Sequence, residues 1–118
     1  MDTGTYLHNP RCSKSREGLA LLRARGIEPK LLQYLDTPLS AAQIDDLLQQ
    51  LGFDDPRALI RRSEAEYADL GLADPARSRA QLIAAMVEHP RLIERPVFAR
   101  GCRAVIGRPP ERLLELLD

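Results

Sequence analysis

Cysteine and histidine are scarce in this chain. Its 118 residues hold two of each: Cys12, Cys102, His8 and His89. With no CxxC or HxxxH spacing among them, neither a disulfide scaffold nor a structural zinc site is expected. Net charge is missing too, because 17 basic residues balance 17 acidic ones. No overall field would recruit nucleic acid or an anionic membrane, so any anion specificity must be local. Lysine is nearly absent: apart from Lys14 and Lys30, every basic residue is arginine, the side chain that grips oxyanions bidentately. No apolar run approaches the roughly 20 residues that span a bilayer, and the N-terminus lacks the apolar core of a signal peptide. A cytoplasmic protein is expected, where a free cysteine is either inert core or chemistry.

What remains is ordinary globular material, 44% hydrophobic and 29% charged, in a length that suits one domain over 1–118. Thr3 to Leu7 reads as a strand ended by Asn9-Pro10. Ser13 to Arg25 reads as a helix with Leu19 and Leu22 on one face and Gly26 at its C′ position. Leu31 to Leu35 is a second strand, and strand, helix, strand in so short a span implies a parallel βαβ unit. Three capping boxes follow, Ser40 with Gln43, Ser63 with Glu66, and Ser78 with Gln81. The first opens a helix carrying Ile44, Leu47, Leu48 and Leu51, and the third a helix carrying Leu82, Ile83 and Met86. "DDPRALIRR", 54–62, suggests another short helix. Residues 95–110 then form two apolar runs around Gly101-Cys102, a hairpin pattern, and Pro109-Pro110 open a last helix bearing Leu113, Leu114, Leu116 and Leu117. The order β-α-β, a helical insert over about 39–90, and β-β-α is the thioredoxin-like one: an α/β fold with a four-stranded mixed sheet and flanking helices. In such folds a proline opening the third strand lies beside the start of the first helix. Pro96 is placed for that role, with a cis Arg95-Pro96 bond.

Cys12 then sits at the turn into the first helix, where free N–H groups and the dipole favour an anion. With Arg11, Lys14 and Arg16 close by, its thiol is expected to ionise below the usual range. Ser15 stands where a CxxC dithiol would have its second cysteine, and Gly18 stands where a CX5R phosphatase-type loop would have its arginine. Cys102, at the hairpin turn, lies more than about 10 Å from the other end at roughly 3.3 Å per residue, so an external thiol is required. A turn at residues 101 and 102 makes Arg95 face Arg108 across the base of the hairpin. Two guanidinium groups beside Cys12 would make a site for a tetrahedral oxyanion. Arg61 is a third candidate, although Arg57 and Arg62 serve equally on spacing alone. His8 either exchanges a proton with the thiol or simply ends its strand, and His89 closes a helix.

The whole chain resembles the thioredoxin-fold arsenate reductases that work with glutathione and glutaredoxin. "YLHNPRCSKSR" is similar to that family's active-site motif, "YLDTP" to its second strand and turn, and "RALIRR" to its central arginine motif. "YADLGL" and "LIAAMVEHPRLIERPV" resemble its later blocks, and "VIGRPPE" its closing one. The resemblance implies that Cys12 is the nucleophile, that Arg61, Arg95 and Arg108 bind the oxyanion, and that His8 and Ser15, with Arg16 in support, lower the thiol pKa. It also implies arsenate as substrate, glutathione as co-substrate, glutaredoxin as partner, and no bound metal or organic cofactor. A monomer is expected. Spx-like regulators that bind RNA polymerase share the fold, but they carry the CxxC that Ser15 interrupts here. A glutathione-linked thiol reductase acting on another substrate is the other alternative.

Overall fold

Helix α1, Ser13–Ala24, forms because its buried residues Ser15, Gly18, Leu19 and Leu22 recur at three- and four-residue spacing along one stripe. It stops where Gly26 takes a positive φ of 78°. There the Gly26 and Ile27 N–H groups close back onto the Arg23 and Leu22 carbonyls, both at 3.0 Å. The computed structural model describes residues 4–117. They fall into two compact units, 4–37 with 95–117, and 38–94.

The first unit holds a four-stranded sheet ordered β2-β1-β3-β4. Strand β1, Thr5–Leu7, runs parallel to β2, Lys30–Leu32, and antiparallel to β3, Val97–Arg100. Strand β4, Arg103–Ile106, pairs antiparallel with β3. The mixed thioredoxin-like sheet and the parallel βαβ unit are therefore as expected. The N-terminal strand begins at Thr5, whereas Thr3 lies outside the described residues. β2 is shorter than the expected 31–35. Asp36 and Thr37 turn their N–H groups back to the Gln33 carbonyl, and Tyr34 leaves the strand path to be buried. Tyr6, Leu19, Leu22, Phe98, Val105, Leu113 and Leu116 form the core of this unit, with Ile27 and Leu117 against it.

The closing segment, Pro110–Leu116, is a 3-10 helix rather than an α-helix. With three residues per turn, Leu113 and Leu116 stand in line and both enter the core.

The second unit contains α2, Ala41–Leu51, α3, Ala65–Asp69, and α4, Arg79–Glu88. Both capping boxes at Ser40 and Ser78 are formed, each with reciprocal hydrogen bonds to Gln43 and Gln81. The box expected at Ser63 and Glu66 is not. Helix α3 has Glu64 as its N-cap, because the Glu64 N–H closes a turn onto the Arg61 carbonyl and its carboxylate pairs with Arg61 and Arg91. The segment read as a helix at 54–62 is a 3-10 turn, Pro56–Leu59, after which Ile60 bridges antiparallel to Ile93. Replacing Ser40 with alanine should therefore cost about 1 kcal/mol in urea denaturation, and Ser63→Ala should stay within about 0.5 kcal/mol. Equal losses would contradict this difference between the two serines.

Candidate active site

Cys12 is the N-cap of α1, with extended dihedrals of φ −93° and ψ 122°. The Asn9-Pro10 turn delivers it: the Cys12 N–H donates to the Asn9 carbonyl at 3.0 Å, and the Cys12 carbonyl accepts the Arg16 N–H to open the helix. Its side chain is half-buried. Burial pushes the thiol pKa up. The backbone N–H groups of Ser15 and Lys14, and then the charge and hydrogen bond of Arg95, outweigh it and leave the thiol below its usual range. The thiol makes no capping hydrogen bond of ordinary geometry. The N–H groups act on the anion by facing it, as dipoles do at a helix start.

The flanking basic residues play a different part from the one their sequence positions suggest. Arg16 donates from Nη1 to the Pro10 carbonyl at 2.8 Å and so braces the turn. Arg11 is exposed on that turn, where its N–H donates to Asn9 Oδ1 at 3.1 Å. The side chain that lowers the thiol pKa comes from the far end of the chain.

Ser15 reaches the thiol through its main chain, while its buried hydroxyl ties the turn together. It accepts the Asn9 N–H at 3.0 Å and lies 2.8 Å from His8 Nδ1. The Ser15 carbonyl accepts the Tyr6 hydroxyl at 2.6 Å. Burial, and then the Arg23 and Arg16 charges, hold the His8 pKa below its usual value, which favours the neutral ring. With Asn9 donating to the serine, every group is satisfied when the Ser15 hydroxyl donates to an unprotonated Nδ1. His8 thus acts on the turn that carries Cys12. Tyr6 was absent from the sequence candidates; its only signal was an aromatic beside the strand's last apolar residue. Burial raises its pKa far above the phenol range.

The hairpin register is the expected one: Val97 pairs with Ile106, Phe98 with Val105, Ala99 with Ala104, and Arg100 with Arg103. Beyond the strands the Gly107 N–H donates to the Pro96 carbonyl at 2.9 Å, and Arg108 Nε donates to the Arg95 carbonyl at 2.7 Å. Arg95 and Arg108 are therefore neighbours at the base of the hairpin. Arg95-Pro96 is cis, and so is Arg108-Pro109, a second Arg-Pro pair that sequence reading passed over. Pro96 lies against α1: a methyl group on Gly18 would meet its Cγ at 3.4 Å and would collide with the Tyr6 hydroxyl. Gly18 is thus required because Tyr6 and Leu113 press on the helix there, beside the proline loop.

Arg61 belongs to the other unit, where Nη1 contacts Glu64 Oε1 at 2.7 Å. Arg57, its rival on spacing, is consumed by structure, with hydrogen bonds to the Leu72 and Asp74 carbonyls at 2.8 and 2.6 Å. His89 ends α4, its N–H on the Ala85 carbonyl. Cys102 is exposed at the hairpin tip. Among the described residues no group of three or more His, Cys, Asp or Glu side chains could hold a metal ion, and no helix is long and apolar enough to cross a membrane.

A helix-start thiol facing an arginine carried by a cis-proline loop narrows the family, and the ArsC family profile matches residues 7–116. The chain belongs to the ArsC family. It is 51% identical over 110 residues to the uncharacterized protein YfgD of Escherichia coli (strain K12), spanning 93% of this chain and 92% of that protein. It is 46% identical to an arsenate reductase of Haemophilus influenzae, across 93% and 95% of the two chains. The solved structure of an arsenate reductase from Vibrio cholerae superposes with a TM-score of 0.95 at 48% identity, covering 97% of each chain.

In this ArsC protein, iodoacetamide labelling of Cys12 should rise at lower pH than labelling of a free thiol, because only the thiolate reacts. Arg95→Gln removes a charge that favours the thiolate, so the labelling midpoint should move to higher pH. A midpoint unmoved by Arg95→Gln would show that the arginine does not act on the sulfur.

Proposed function

We propose that this protein reduces arsenate to arsenite, with Cys12 as nucleophile and Arg61, Arg95 and Arg108 binding the oxyanion. The observation that carries this reading is the Cys12 thiol held below its usual pKa by helix N–H groups and by Arg95. The identities to proteins named arsenate reductase support the substrate.

The thiolate attacks arsenic, forms a sulfur–arsenic bond and expels one oxygen, which leaves as water after taking a proton. Arginine guanidinium groups hold the remaining oxygens and stabilise the charge that develops on them. Glutathione then adds through its sulfur with loss of a second water, giving arsenic(V) bound to both sulfurs. Glutaredoxin attacks the glutathione sulfur. That sulfur–arsenic bond breaks with its electron pair passing to arsenic, which becomes arsenic(III), while the two thiols are oxidised to one mixed disulfide. Hydrolysis frees arsenite and restores Cys12. Ser15 and His8 keep the turn in place, and Arg16 supports it. No resident metal or organic cofactor takes part, and the reducing conditions required are those of the cytoplasm, where the protein works as a monomer.

A glutaredoxin-coupled NADPH oxidation assay with arsenate and glutathione tests this. Cys12→Ser should fall to the uncatalysed background while Cys102→Ser keeps the wild-type rate. Arg95→Gln should lower kcat/KM by about 10²–10³, as loss of a transition-state donor does. Activity that survives Cys12→Ser would overturn the mechanism, and loss with Cys102→Ser would show that the resolving thiol is internal.

A further inference from the structure

A cleft of about 310 Å³ opens at the turn that carries Cys12. Asn9 and Arg11, from the turn between β1 and α1, line it together with Gln33, Leu35 and Asp36, from the turn that follows β2. Its size is at the lower end for small-molecule sites. Arg11 precedes Cys12 directly, and consecutive Cα atoms are about 3.8 Å apart, so a ligand seated here lies alongside the sulfur's own turn.

Both turns are fixed through their main chains. The Arg11 N–H is held by Asn9 Oδ1, the Asn9 N–H by Ser15 Oγ, and the Asp36 N–H by the Gln33 carbonyl. The side chains of Arg11, Leu35 and Asp36 are exposed. With His8 and Pro10 completing it, the lining offers one guanidinium, one carboxylate, two carboxamides, one imidazole and the apolar surfaces of Leu35 and Pro10. A simple anion would gain from Arg11 and be opposed by Asp36, and a simple cation would meet the reverse. The set suits a ligand with a carboxylate at one end, an ammonium at the other and amide groups between them.

We propose that this cleft seats a short peptide thiol of the γ-glutamyl-cysteinyl-glycine type. The glycine carboxylate meets Arg11, the γ-glutamyl ammonium meets Asp36, the peptide groups face Asn9 and Gln33, and the cysteinyl methylene rests on Leu35. The assignment extends the reading that an external thiol resolves the Cys12 adduct, and it names the residues that would select that thiol. A free thiol lacking these ends would gain nothing from the cleft, so the arrangement supplies specificity for the co-substrate separately from the oxyanion site.

Titration calorimetry with S-methylglutathione, whose sulfur cannot react, tests the cleft without arsenate or turnover. Saturable binding to the wild-type protein is expected. Arg11→Ala or Asp36→Ala should each weaken it about tenfold or more, as loss of a charge-assisted hydrogen bond does. The glycine amide of S-methylglutathione should bind the wild-type protein more weakly than the parent, and Arg11→Ala should bind both alike. Absence of saturable binding, or affinity unchanged in both folded variants, would overturn the proposal. So would Arg11→Ala still distinguishing acid from amide. A protein that binds the tripeptide as described but does not reduce arsenate would refute the proposed function and leave the cleft standing. One that reduces arsenate without binding S-methylglutathione would refute the cleft alone.

Discussion

The buried hydroxyl of Ser15 is the point on which the candidate site depends. A polar group with no exposed surface must find partners inside the protein, and this one finds them in the Asn9 N–H and the His8 ring. Each partner lies on the segment that leads from β1 into α1, so satisfying the serine fixes the path of that segment. The Tyr6 hydroxyl on the Ser15 carbonyl does the same from the core side. Cys12, between them, has little freedom except in its own side chain. The thiol is thus preorganised by groups that never touch it, which is how a site avoids reorganisation at the moment of reaction.

The fold was legible in the sequence where a local rule and a burial pattern agreed. Leu19 and Leu22 on one stripe with Gly26 behind them gave α1, and two serine boxes gave the starts of α2 and α4. Legibility failed where tertiary partners overruled a local signal. Ser63 and Glu66 have the spacing of a box, yet Glu64 is drawn into ion pairs and takes the cap. The apolar Leu31 to Leu35 run looked like one strand, although it divides into a strand and a turn with Tyr34 buried beyond it. Leu113 and Leu116 fit an α-helix and a 3-10 helix about equally well, and only the core they enter distinguishes the two.

The site divides in the same way. Its long-range part was readable, since a two-residue turn fixes strand register by arithmetic and carries Arg95 to Arg108. Its short-range part was readable in the main chain, where the Ser15 and Lys14 N–H groups favour the anion as expected of a helix start, and misled only in the side chains. Basic residues beside Cys12 in sequence suggested a local source for the lowered pKa, but Arg16 turns to a carbonyl while Arg95 supplies the charge. Proximity along a chain says little about direction, because neighbouring side chains on a helix start diverge. Arg57 and Arg61 show the complementary case. Spacing could not rank them, and inside the second unit both guanidinium groups have partners, Arg57 two main-chain carbonyls and Arg61 the Glu64 carboxylate.

The hairpin that brings Arg95 to Arg108 works as a ruler. Each of the two arginines precedes a proline, yet their adjacency is stored as a count of residues on either side of Gly101-Cys102. Side chains along β3 and β4 can change identity without altering that count, provided the core face stays apolar. A single residue added to one arm would shift the register by one and turn its side chains to the opposite face. Drift in composition is therefore cheap in this segment, whereas drift in length is not, unless both arms grow together.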